Sequence, residues 1–157
     1  MDKSQAIIDF IIQCPQIANN PLFFNAINAE DNNKGIVTIA NDRILETSYV
    51  DGSVARQYSF TIIDYRSVTY DPVPKSLATS ENVDEFIDVQ SIVEWIEEQE
   101  DLHNYPDFGE NCVVDRMTTT SALPNLSGVD ENVTPALAKY IITIQIEYLD
   151  TSKQIFK

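Results

Sequence analysis

Positive charge is scarce in this sequence. There are 10 Lys and Arg residues against 25 Asp and Glu, for a formal net charge of −15. A chain this acidic repels phosphate backbones over a few Debye lengths, each about 8 Å at physiological salt. Nucleic-acid binding through phosphate contacts is therefore not the expected function. The deficit is sharpest from Ser76 to Asp115, where twelve acids and no base occur. A basic partner, or a surface that keeps DNA from adhering, fits such a field.

Other shortages remove whole classes of chemistry. The four glycines, Gly35, Gly52, Gly109 and Gly128, are widely separated, so there is no Gly-rich phosphate loop. No G-x-S-x-G nucleophile turn occurs. The two cysteines, Cys14 and Cys112, stand too far apart for a metal knuckle or redox pair. They read as buried or half-buried thiols, bridged only if the fold brings them together. His103 is the single histidine, and it reads as a solvated or capping residue after an acidic helix. A zinc site would combine it with both cysteines and carboxylates at no recognisable spacing. The run from Asp31 to Gly35 shares the opening of a calcium loop, but Asp42 stands where the closing Glu belongs. Carboxylate pairs such as Glu94 with Glu98 are abundant, yet nothing marks one of them for glycosidase work. No catalytic, cofactor-binding or metal-binding residue is assigned, and the chain is expected not to be an enzyme.

Long apolar runs are also missing. None approaches the roughly 20 residues that span a membrane, and Met1-Asp2-Lys3-Ser4 lacks the basic start of a signal peptide. Cytosolic synthesis is the expectation. What is present suffices for a core: 43% hydrophobic and 10% aromatic residues in a chain of 157. One domain covering residues 1–157 is expected.

The periodicities outline that domain. Ser4 is placed to cap a first helix, with Ile7, Ile8, Phe10, Ile11 and Ile12 at helical spacing and Pro15 beyond them. Asp31 to Gly35 reads as a turn. Ile36–Ile39 and Arg43–Val50 are strand candidates, and Asp51-Gly52 signals a type I′ hairpin turn. In the following strand Tyr58, Phe60 and Ile62 point one way, and Gln57, Ser59 and Thr61 the other. After Pro72 and Pro74, Asn82 with Glu85 suggests a capping box for a second helix. Its apolar stripe is Phe86, Val89, Ile92, Val93 and Ile96, opposite a row of acids. Cys112–Thr119 is a strand, residues around Pro124, Gly128 and Pro135 a loop, and Tyr140–Tyr148 the strongest strand. Ile141 and Leu149 predict partial cover on that strand's second face. These elements predict an α+β two-layer sandwich in α-β-β-α-β-β order. Two helices pack on one face of a mainly antiparallel sheet of about four strands, and a hairpin protrudes. Trp95 and Phe108 are each either core residues or docking knobs.

Several segments resemble one family. They are the Ser4–Phe10 helix, Arg56–Ile62, Val89–Ile96, Asn104–Phe108, and the closing strand with Ala138-Lys139-Tyr140 and Glu147-Tyr148. Together they resemble the tail terminators (minor capsid or tail-completion proteins) of bacteriophages with long non-contractile tails. The resemblance implies a homo-oligomeric ring, usually a hexamer, in the virion at the head-proximal end of the tail. Such a ring caps the tail tube protein, stops tube growth and offers the surface for the head or neck connector protein. DNA passes through its acidic lumen without specific binding. From the charge map, Glu94, Glu97, Glu98, Glu100 and Asp101 are candidates for the lumen or partner surface. Tyr49, Val50, Asp51, Gly52 and Ser53 are candidates for an assembly hairpin. Rival readings are another neck or head-completion protein, or an acidic DNA mimic that occupies a nucleic-acid-binding enzyme.

Overall fold

In the first helix, α1 (Lys3–Ile11), Ala6, Ile7, Phe10 and Ile11 turn inward, while Ile12 just beyond it is exposed. The computed structural model describes residues 3–44, 51–70, 80–120 and 123–153, with 39–44 described by backbone alone. Ser4 lies inside α1 rather than ahead of it. Pro15 does not end helical structure. It opens a short second helix, α2 (Pro15–Ala18), where its missing N–H has no intrahelical partner to lose.

Strand β1 (Leu22–Phe24) then runs parallel to β2 (Lys34–Ile44). The link between them includes Asn32, held at φ 65°. Strand β3 (Val54–Ser67) follows, then helix α3 (Glu81–Asp101), β4 (Cys112–Thr119), β5 (Asn125–Asp130) and β6 (Leu137–Asp150). The sheet order is β1-β2-β3-β6-β4, and β5 pairs with β6 beside β4. The α+β class therefore holds. Among the described residues the expected four strands are a mixed sheet of six, and α2, β1 and β5 are additions to the expected order.

The additions have physical reasons for escaping the pattern. Strand β1 is three residues long, too short to show alternation. Strand β5 lies where a loop was expected, between Pro124 and Pro135 and with Gly128 at a register shift. All six of its residues are exposed, so no apolar face marks it.

The spine is β3 against β6, antiparallel and unshifted from Val54↔Asp150 to Ser67↔Leu137. One face of this pair carries Phe60, Ile62, Tyr140, Ile142, Ile144, Ile146 and Tyr148, all buried. Alternation alone produces that face. The three helices cover it, with Val89, Ile92, Val93 and Ile96 of α3 at most 0% exposed. The opposite face is less open than the alternation implies, since Gln57, Ser59 and Ile63 are buried there too. At one end of that face Ile27 packs over Gly35, where any Cβ would meet its Cδ1 at 2.9 Å. Gly35 is there because a side chain does not fit.

Candidate interaction surfaces

The outward face of α3 carries the acids. Glu94, Glu97, Glu98 and Asp101 are all exposed. At 1.5 Å of rise per residue, Glu94, Glu98 and Asp101 form a line with axial steps of about 4.5–6 Å. Glu100 is different. Its carboxylate accepts a hydrogen bond from the Met117 backbone N–H at 2.8 Å, fastening the helix end to β4. Burial and the adjacent Glu100 together push the Tyr105 hydroxyl up to about 12. Of the five acids picked for a lumen or partner surface, four share an exposed surface and Glu100 is occupied structurally.

The N-terminal end of α3 departs from the expected capping, and the C-terminal end does not. Ser80 is the N-cap residue, without a side-chain cap bond. Asn82 instead faces Thr69, accepting from its N–H at 2.9 Å and donating to its carbonyl at 2.8 Å. At the other end, Asn104 N–H donates to the Gln99 carbonyl and His103 N–H to that of Glu100. That pairing is a Schellman motif, with His103 at the left-handed position, φ 53°. His103 is thus a capping residue in a conformation glycine adopts more readily. His103→Gly is expected to raise stability by about 0.5–1 kcal/mol in urea denaturation.

A buried charged cluster joins α3 to the sheet. Lys34 and Asp64 have fully buried side chains with Nζ 3.5 Å from Oδ1. The Arg66 guanidinium donates twice to Asp64, at 2.9 Å each, and reaches Glu85 at 3.0 Å and Asp88 at 2.6 Å on α3. Burial lowers the Lys34 ammonium below its usual range, against the pull of Asp64. Burial also opposes the charge of Arg66, but its bonds to Asp64 and Asp88 outweigh that and raise it above the ordinary value. The sequence signal was parity: Asp64 and Arg66 continue the buried phase of Phe60 and Ile62.

At the hairpin, Asp51 accepts from the Ser53 N–H at 3.0 Å and the Ser53 hydroxyl at 2.6 Å. Gly52 has φ 88°, one of the two positive φ values that a type I′ turn requires, while Asp51 directly follows residues outside the described ones. Ser53 is buried and its two neighbours half-buried, so this part of the tip is no bare projection. Tyr49 and Val50 lie outside the described residues, as does most of the 43–50 strand candidate.

Two further residues resolve as core. Trp95 packs on Phe10 with centroids 5.1 Å apart, and Phe108 is wedged edge-on between Tyr58 and Tyr148. Neither cysteine is in a disulfide; Cys14 is buried and Cys112 half-buried. Burial pushes the Cys14 thiol up to about 11. A thiol reagent at pH 8 is expected to label native Cys112 on the order of 100-fold faster than Cys14. Equal rates, followed by mass spectrometry of the two peptides, would refute the buried placement.

Among the described residues, no group of three or more His, Cys, Asp or Glu side chains is placed to hold a metal ion. None of their helices is long and apolar enough to cross a membrane. An open cleft of about 450 Å³ lies between α1 and the Tyr105–Asp107 segment, lined by Gln5, Asp9, Phe10 and Pro106 among others. It contains carboxylates and amides but no grouping of nucleophile and base. Fold and surfaces together define a small α+β domain whose distinguishing feature is a one-sided acidic helix. No family model and no curated protein matches this chain.

Proposed function

We propose that this chain is a structural assembly protein of a long-tailed bacteriophage. It caps the head-proximal end of the tail tube as a ring, expected to be a hexamer, and forms the surface that the head or neck connector meets. Its work is contact rather than catalysis. The observation that carries this reading is the separation of charge on α3. The inward stripe is ordinary core, and the outward side presents Glu94, Glu97, Glu98 and Asp101 within a forty-residue stretch that has no base. Solvation alone would tolerate interspersed lysines there. A wall past which DNA must slide would not, because each Lys or Arg would hold a phosphate. The resemblance of the α1, β3, α3 and β6 segments to tail terminators supports the same assignment.

The same row of carboxylates favours one rival, an acidic decoy for a DNA-binding enzyme. Affinity capture from phage-infected cells separates the two. Recovery of tail-tube or neck proteins supports assembly, whereas recovery of a nuclease or polymerase supports the decoy and overturns the first reading. Capture of head-completion proteins without tube protein would move the assignment to a neck connector.

A further inference from the structure

The cleft of about 450 Å³ between α1 and the Tyr105–Asp107 segment has a lining that suits one kind of occupant. Its α1 wall is the row Gln5, Asp9 and Gln13, exposed residues spaced four apart and so about 6 Å apart along the axis. The floor is apolar, formed by Ala6 and by Phe10, both buried. The opposite wall is the half-buried Tyr105 ring, the buried Pro106 and the exposed Asp107. Each wall carries one carboxylate, and no Lys or Arg lines the cleft.

Both carboxylates are positioned yet keep accepting capacity. Asp9 Oδ1 accepts from Gln5 Nε2 at 2.8 Å, and Asp107 Oδ1 accepts from the Gly109 N–H at 2.9 Å. Oδ2 of each accepts no bond from a described residue. Two further features deepen the negative potential. Asp9 and Gln13 stand at the C-terminal end of α1, the negative end of its dipole, and its last turn has no base. The net charge of −15 adds a field that draws cations in. Lys3, the one base of α1, sits over the Tyr148 ring instead, 5.4 Å from its centroid.

We propose that this cleft is a docking site for an arginine side chain presented by an exposed segment of a partner protein. Charge complementarity selects a cation, and the shape of the lining selects a guanidinium. A lysine would satisfy a carboxylate but has no planar group to lay against an aromatic wall. A guanidinium stacks on a tyrosine ring while its five N–H donors fork to carboxylate and amide oxygens. Tyr105 is fixed for that role, its hydroxyl 3.2 Å from His103 Nδ1 and 3.4 Å from the Asp115 carbonyl oxygen. A metal ion is the poorer occupant, since no group of three or more ligand side chains is placed to hold one among the described residues. The volume lies in the range of small-ligand sites and admits a long side chain with part of its backbone. None of the lining residues belongs to the acidic row of α3, and the site does not depend on the tail-capping assignment.

The chain's one tryptophan reports on the cleft, because Trp95 packs on the floor residue Phe10 with centroids 5.1 Å apart. Titration with the peptide acetyl-Gly-Arg-Gly-amide is expected to shift Trp95 fluorescence with a dissociation constant on the order of 1 mM. Added salt should weaken it, and acetyl-Gly-Gln-Gly-amide should leave the signal unchanged. Asp9→Asn with Asp107→Asn keeps both Oδ1 acceptors and is expected to weaken binding at least about 10-fold. Glu97→Gln with Glu98→Gln removes the same charge from the exposed face of α3 and should leave the constant within about 2-fold. On the unaltered protein, the peptide should move amide resonances in α1 and residues 105–109, a readout independent of whether any variant folds. No saturable response to the arginine peptide, equal binding of the glutamine peptide, or equal weakening by the two double substitutions would overturn the proposal. So would maltose occupying the cleft where the arginine peptide does not, which would mark a neutral polyhydroxyl ligand.

Discussion

Asp64→Ala is expected to cost about 3–5 kcal/mol, the largest loss of any single charged residue in this protein. The carboxylate is fully buried and is the shared partner of Lys34 and Arg66, themselves 0% and 3% exposed. Removing it leaves two cations enclosed side by side, with the Arg66 bonds to Glu85 and Asp88 and the Lys34 bond to the Asn32 carbonyl as the remaining compensation. Desolvation of an unpaired buried charge dominates the lost attraction, so the cost exceeds that of an exposed pair several-fold. Against a typical total of about 5–15 kcal/mol, such a loss leaves the domain marginal. Chemical denaturation should show the midpoint falling with little change in slope. Replacing Lys34, Asp64 and Arg66 together by Met, Leu and Met should recover most of the loss, because no charge is then stranded. A change under about 1 kcal/mol for Asp64→Ala would show that water reaches the cluster and that its burial is overstated.

Phe108→Ala is expected to cost about 3–5 kcal/mol, a fall of roughly 10 °C in the unfolding midpoint for a domain of this size. Phe108 lies in a short turn between α3 and β4, a place where an aromatic residue invites a docking role. It is instead 4% exposed, with ring centroids 5.3 Å from Tyr148 and 5.7 Å from Tyr58. Truncation opens a cavity over the core face of the β3–β6 pair, the two longest strands. Asp107 holds the turn by accepting from the Gly109 N–H at 2.9 Å, and Gly109 has φ 103°, so the backbone cannot readily close the gap. A stable variant with impaired partner binding would reassign Phe108 to an interface.

The elements with a repeating pattern were legible and the others were not. α3 and β6 follow from periods near 3.6 and of 2 because each buries one complete face. β5 buries neither face and β1 is too short, so no pattern was available for either. Strand β3 misled in a different way. Asp64 and Arg66 are polar, yet they stand in the buried phase, and the meeting with Lys34 across β2–β3 and with Glu85 and Asp88 on α3 makes that tolerable. Among the candidate residues, Glu94, Glu97, Glu98 and Asp101 were legible as a surface from charge and helical spacing. Glu100 was not separable from them. Its binding to Met117 depends on how the helix meets β4, a long-range contact that spacing does not encode.

The central claim is that the protein caps tail tubes, with its acidic helix face toward passing DNA or the head. Electron microscopy of the purified protein mixed with purified tail tubes lacking their cap addresses it most directly. The account predicts a ring at one end of each tube, resolved well enough to place the α3 row of Glu94, Glu98 and Asp101 on the channel or head-facing side. Tubes with bare ends at saturating protein, or protein bound along their sides, would contradict it.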